Sequence, residues 1–132
     1  MGLAFLLVLL GLGCLFLAYR EQEPFQEIKV KGEALQKLVV QETVSQGADP
    51  MERTIDFAAL QRINPEIVGW LYVPQIGVDS PILTGQTDTE YLTKDFEGAY
   101  SPLGSIFTFA GARFSDSQVY LFAHNMASGQ MF

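Results

Sequence analysis

The distribution of apolar and polar residues divides the chain into three stretches with different periodicity. Residues Gly2 to Ala18 form one uninterrupted apolar run without a charged side chain. Apolar residues then recur at roughly helical spacing over 25–44 and again over 51–62, which predicts two helices with a loop at 45–50 between them. After Asn64 this spacing is lost, and short β-rich runs replace it.

Four short strands are predicted in the last stretch. β-rich runs occupy residues 68–73, 76–83, 105–109 and 118–122, and a helical turn is predicted over 87–92. Turn-forming residues separate these runs, a pattern that is typical of an antiparallel barrel or sandwich. The sequence therefore predicts a mostly β domain that follows N-terminal helices.

The first apolar run has the character of a membrane segment. At about 1.5 Å of rise per residue it spans about 26 Å, against about 30 Å for a hydrocarbon core. Tyr19 and Arg20 follow at positions suited to the membrane interface. We predict a transmembrane anchor over residues 1–20. A cleaved signal peptide and a lipoprotein acylated at Cys14 are the alternatives, since both also place an apolar run at the N-terminus.

Charge and cysteine content exclude several kinds of function. The chain has 15 acidic and 8 basic residues, a net charge of −7, and no cluster of Lys and Arg that would bind a phosphate backbone. Nucleic acid is therefore not an expected partner. Cys14 is the single cysteine, so the chain can form neither an internal disulfide nor a cysteine-based zinc site. The sequence implies no metal and no cofactor.

A series of motifs in the β-rich stretch resembles the class B sortases, a family of cysteine transpeptidases. The series consists of NPEIVGWL at 64–71, Val73-Pro74, DSPILTG at 79–85, Glu90-Tyr91-Leu92, DFEG at 95–98, GSIF at 104–107, His124-Asn125-Met126 and GQMF at 129–132. The resemblance lies in the order and spacing of these pieces. It implies an incomplete sortase-like β-barrel over 64–132, preceded by a helical extension over 21–63 and by the anchor.

The resemblance also assigns chemistry to two residues. Sortases cut the sorting signal of a secreted protein through a thioester and pass the acyl group to an amine. By motif position His124, the only histidine of the chain, is the catalytic histidine, although on position alone a lone histidine is more often structural than catalytic. Leu92 stands where the family lines its sorting-signal groove, and a leucine that merely packs in the barrel is the alternative.

The same resemblance implies partners and a location. The partners would be a surface protein that carries a sorting signal and an amine acceptor on a cell-wall precursor or a pilin. The membrane would be contacted through residues 1–20, and the domain would lie on the extracytoplasmic face.

The catalytic set of the family is incomplete in these 132 residues. The family's cysteine and arginine follow the histidine on later strands, and the chain stops at Phe132 before either. Cys14 is a poor substitute because an apolar environment disfavours the reactive thiolate. We therefore expect a fragment of a class B sortase-like enzyme that is inactive alone. A non-catalytic, membrane-tethered module that binds sorting peptides is the alternative.

Overall fold

The computed structural model describes residues 2–41 and 53–125, which form two α-helices, a two-stranded ribbon and a four-stranded sheet. In chain order the elements are α1 (Gly2–Val39), β1 (Val40–Gln41), β2 (Thr54–Ile55), α2 (Phe57–Ile63), β3 (Ile67–Val73), β4 (Val78–Thr84), β5 (Ile106–Thr108) and β6 (Leu121–Phe122). Short 3₁₀ turns cover Pro74–Ile76 and Glu90–Leu92. The loop predicted at 45–50 and residues 126–132 of the predicted barrel lie outside the described residues.

Helix α1 differs from the prediction of an anchor followed by a separate helix. It runs without interruption through 38 residues. Its second half is rich in Glu, Gln and Lys, which have high helix propensity and carry the helix beyond the apolar run. Along the part of the chain that the structure describes, no helix combines the length and apolar character needed to cross a membrane. The transmembrane anchor predicted at 1–20 is therefore unsupported by the structure.

The four-stranded sheet has the order β3-β4-β5-β6. Strands β3 and β4 form an antiparallel hairpin, which turns through Pro74–Ile76 and through Gly77 at a φ of 73°. Strands β5 and β6 are also antiparallel, but β4 and β5 run parallel, with Ile82 opposite Ile106. This parallel pair corrects the prediction of a purely antiparallel sheet. Residues 85–105 provide the long connection that a parallel pair requires.

The two faces of the sheet carry different apolar clusters because side chains alternate along each strand. The first face is covered by α1 and α2, and its buried cluster comprises Leu35, Val39, Leu60, Ile67, Leu83, Tyr91 and Phe107. The second face has a smaller buried cluster of Val78, Ile82 and Ile106. Leu83 and Ile82 show the alternation directly, since they are neighbours in β4 and belong to opposite faces. The functional candidates lie on the first face.

Polar contacts around Asp79 connect β4 with α1, with β3 and with Arg53. Asp79 of β4 forms a two-pronged ion pair with Arg53, and it accepts a hydrogen bond of 2.7 Å from Nε1 of Trp70. The side-chain amide of Gln36 in α1 donates to the backbone carbonyl of Asp79 at 2.8 Å. The Gln36 bond ties α1 to β4, and the bonds from Arg53 and Trp70 pair the charge of the Asp79 carboxylate beside the apolar cluster.

Candidate functional site

His124 follows directly on β6 and lies against the turn that contains Leu92. Its ring atom Nε2 is 2.9 Å from the backbone carbonyl oxygen of Leu92, and both residues are partly buried. Alternation along the segment puts His124 on the same face as Phe122, which stacks on Phe107 at a centroid distance of 5.6 Å. The structure thus brings together the two residues that the sequence singled out, although they are 32 positions apart.

The Leu92 turn is held by backbone hydrogen bonds from two directions. Within the turn, the amide of Leu92 donates to the carbonyl of Thr89 at 3.1 Å. From the segment before β5, the amide of Ser105 donates to the carbonyl of Tyr91 at 2.9 Å, and the Ser105 hydroxyl donates to the carbonyl of Lys94 at 2.9 Å. The side chain of Leu92 packs against the first-face cluster. The backbone carbonyl that meets His124 therefore sits in a fixed part of the fold.

Gly104 allows this close approach between the turn and the segment before β5. It adopts a φ of 61°, in the left-handed region that favours glycine. A Cβ atom at this position would lie 2.5 Å from the carbonyl oxygen of Tyr91 and 2.7 Å from that of Leu92. Any larger residue would therefore have to displace the carbonyl that contacts His124.

Tyr91 anchors the turn from inside the core. Its side chain is only 1% exposed. The phenol hydroxyl donates to Oε2 of Glu66 at 2.5 Å and accepts from Nδ2 of Asn64 at 2.8 Å. Asn64 is itself buried, and its Nδ2 also donates to the carbonyl of Phe96 at 2.9 Å. Burial, and secondly the hydrogen bond to Glu66, raise the pKa of Tyr91 well above its ordinary value.

The raised pKa of Tyr91 gives a test of this anchor at alkaline pH. Above a pH of about 10 the unfolded chain releases the phenol proton while the folded chain keeps it, so stability falls as the pH rises. We expect the free energy of unfolding of Tyr91→Phe to fall less steeply than that of the wild type, by at most about 1.4 kcal/mol per pH unit. Urea denaturation at several pH values from about 9 to 11 measures this slope. Tyr120→Phe, at an exposed tyrosine, should keep the wild-type slope.

The outer side of the turn carries a salt bridge. Nζ of Lys94 lies 2.6 Å from Oε1 of Glu90, and the other oxygen of Glu90 accepts from the amide of Gln86 at 2.7 Å. The bond to Lys94 lowers the pKa of Glu90. Asp88 accepts a hydrogen bond of 2.8 Å from the amide of Ala110, which ties the start of the turn to the loop after β5. These contacts set the local shape of the surface beside Leu92.

Within residues 2–41 and 53–125 no group of three or more His, Cys, Asp or Glu side chains is placed to hold a metal ion. The site is therefore described by His124, the turn and the buried residues behind it. Gly104 and Tyr91 lie inside the quoted motifs, but their positions in the sequence predicted no role for either of them. A glycine next to a predicted strand is the kind of signal that marks close backbone approach, and it would have identified Gly104.

Two curated relatives match part of the chain. Sortase B of Staphylococcus aureus is 41% identical over 51 residues, which are 39% of this chain and 21% of that protein. Sortase B of Listeria monocytogenes is 33% identical over 75 residues, or 55% of this chain and 30% of that protein. The chain thus spans less than a third of the length of either relative. No model of a protein family matches it.

Solved structures agree with the sequence matches. Sortase B from B. anthracis, in complex with AAEK1, superposes with a TM-score of 0.68 and 27% identity over 83% of this chain and 52% of that structure. A sortase B complexed with triglycine gives a TM-score of 0.54 and 32% identity over 58% of this chain and 36% of that structure. The superposition on the B. anthracis structure covers 83% of this chain, whereas the two sequence matches cover 39% and 55% of it.

Proposed function

Because the chain is a homologue of the class B sortases over part of their length, we propose that it forms the histidine-bearing part of a cysteine transpeptidase. The observation that carries this proposal is the placement of His124 on the Leu92 turn, 2.9 Å from its carbonyl oxygen. A partly exposed imidazole held at a fixed turn suits proton transfer, because general acid–base catalysis requires a positioned ring. The reaction class, transpeptidation through a cysteine, is inferred from the name sortase B that the relatives share.

In the proposed reaction a cysteine thiolate attacks the carbonyl carbon of a peptide bond in a sorting signal. His124 gives a proton to the departing amine, and a thioester remains. An incoming amine then attacks the thioester, His124 accepts its proton, and the thiolate leaves. The Leu92 side chain packs against the first-face cluster but is only partly buried, and its accessible part is proposed to line the peptide groove. The substrate is a surface protein that carries a sorting signal, and the acceptor is an amine of the cell wall or of a pilin. The sortase B structure complexed with triglycine supports an amine as the acceptor.

The thiol in this reaction comes from a residue other than Cys14. Cys14 lies in the first half of α1, whereas the residues of α1 that the structure places in the buried cluster of the first face, Leu35 and Val39, lie in its second half. Residues 1–132 alone are therefore proposed to bind a sorting peptide without cleaving it. Location on the extracytoplasmic face of the cell membrane, which the sequence resemblance implied, remains a prediction.

A chimaera tests the proposed reaction. Residues 53–125 would replace the matching segment of Listeria monocytogenes sortase B, which supplies the rest of the enzyme. We expect the chimaera to cleave the parent enzyme's own sorting peptide and to transfer the acyl group to triglycine, as followed by mass spectrometry. The 132-residue chain alone should give no thioester adduct in the same assay.

Two outcomes would contradict the proposal. One is a chimaera that melts cooperatively yet neither cleaves nor transfers. The other is unchanged transfer after the parent's catalytic cysteine is replaced by alanine, because the reaction would then not proceed through a thioester. The unmodified parent enzyme, assayed beside the chimaera, gives the reference rate.

A further inference from the structure

We infer that the Leu92 carbonyl holds His124 in the tautomer that carries its hydrogen on Nε2, which leaves Nδ1 as the nitrogen that exchanges protons. The tautomer follows from the structure alone, whereas its catalytic use rests on the proposed function. Leu92 and Gly104 would then be positioning residues that act through the histidine. This backbone role of Leu92 is separate from the groove role of its side chain.

The chemistry of the contact determines which nitrogen carries the hydrogen. A neutral imidazole has one N–H, and a carbonyl oxygen can only accept a hydrogen bond. At 2.9 Å from that oxygen, Nε2 must therefore donate. With the hydrogen on Nδ1 instead, two lone pairs would face each other in a partly buried place. A net hydrogen-bond contribution of this kind favours the tautomer with its hydrogen on Nε2 by about tenfold over the other tautomer.

The fold prevents the Leu92 carbonyl from turning away. The preceding carbonyl, of Tyr91, accepts from the Ser105 amide at 2.9 Å, and the Tyr91 ring is fixed in the core by its bond to Glu66. Gly104 lies directly behind both carbonyl groups. Because the carbonyl is fixed before substrate arrives, the ring it contacts is oriented without further cost at the time of reaction.

The nitrogen Nδ1 is the atom left for proton transfer. Across residues 2–41 and 53–125 no hydrogen-bond partner contacts it, whereas Nε2 is occupied by the Leu92 carbonyl. A base must present a free lone pair to the proton that it removes, and in this tautomer only Nδ1 has one. The incoming amine should therefore approach the Nδ1 side of the ring.

The tautomer can be measured directly because His124 is the only histidine of the chain. The 132-residue chain would be labelled with ¹⁵N-histidine, and two-bond ¹H–¹⁵N correlations would be recorded at a pH of about 8.5, where an ordinary imidazole is neutral. The same chain in urea gives the intrinsic tautomer ratio. We expect the folded chain to favour the Nε2–H form by about tenfold over that ratio. An unchanged ratio, or a predominantly Nδ1–H form, would overturn the inference.

Two glycine variants test whether the position of the Leu92 carbonyl causes the tautomer preference of His124. Gly104→Ala should return the ratio towards that of the unfolded chain, since its methyl group displaces the Leu92 carbonyl. Gly98→Ala is the matched control: Gly98 also has a positive φ, of 86°, but its added Cβ would meet no atom within 4 Å. Equal, wild-type ratios in both folded variants would refute the role of Gly104. If Gly104→Ala does not fold, the exchange of the Nε2 proton with water is measured in the wild type instead. Slow exchange in the folded chain and fast exchange in urea would support the bond to the Leu92 carbonyl, whereas equally fast exchange in both would refute it.

Failure of this inference and failure of the proposed function give different results. A biased tautomer in the chain together with an inactive, folded chimaera would reject the transpeptidase and keep the contact. An active chimaera together with an unbiased tautomer would reject the role of the Leu92 carbonyl and keep the reaction. The readout needs no catalysis, so each hypothesis stands on its own measurement.

Discussion

Replacing His124 by glutamine in the chimaera is expected to lower kcat/KM for acyl transfer by about 10²- to 10⁴-fold. This range is typical for removal of a general acid–base group. Glutamine can still donate an N–H to the Leu92 carbonyl, but it cannot exchange a proton near neutral pH. The loss should therefore fall mainly on kcat, with KM for the sorting peptide little changed. Initial rates measured by mass spectrometry over a range of peptide concentrations separate the two constants.

A variant on the same segment controls for damage to the fold. Tyr120→Phe keeps the ring that packs edge-on against Phe109 and removes only an exposed hydroxyl. It should transfer the acyl group at the rate of the unmodified chimaera. If His124→Gln retained more than about a tenth of that rate while melting normally, His124 would not be the proton-transfer group.

Replacing Leu83 by alanine is expected to lower the free energy of unfolding of the chain by about 2–5 kcal/mol. Leu83 is completely buried in the first-face cluster, which it shares with Tyr91 and Phe107. Truncation removes buried methyl groups and leaves a cavity where both helices and the sheet meet. Denaturation in urea, followed by circular dichroism and tryptophan fluorescence of Trp70, measures the loss.

An exposed leucine gives the comparison for that variant. Leu38 in α1 is 65% exposed, so Leu38→Ala removes the same atoms from a place where little apolar burial is lost. Its free energy of unfolding should stay within about 0.5 kcal/mol of the wild type. Similar losses in both variants would mean that the first-face cluster does not organise the fold as described.

The hairpin was predictable because its signals are local. Alternation over 68–73, a Pro and a Gly at the bend and a second β-rich run are enough to indicate β3 and β4. The parallel pairing of β4 with β5 was missed, since alternation along a strand does not record the direction of its neighbour. The continuous helix α1 was missed because the uninterrupted apolar run at 2–18 and the helical spacing over 25–44 suggested two separate elements.

The candidate site was only partly predictable. Motif order singled out His124 and Leu92, but their contact depends on how the 85–105 connection returns to the sheet, which no local pattern specifies. The close approach of Gly104 to the turn and the hydrogen bond from Tyr91 to Glu66 are also tertiary features. Local propensity identifies the pieces of such a site, and tertiary packing determines which atoms meet.

The parallel β4–β5 pair has a consequence for the order in which the chain folds. The β3–β4 hairpin has a short turn and can close within microseconds, whereas the parallel pair must first close the loop of residues 85–105 against its chain entropy. Among the strands that the structure describes, β6 pairs only with β5, and His124 follows β6. The contact between His124 and the Leu92 turn therefore depends on both the β4–β5 and the β5–β6 pairings, and we expect it to be lost when either pairing opens.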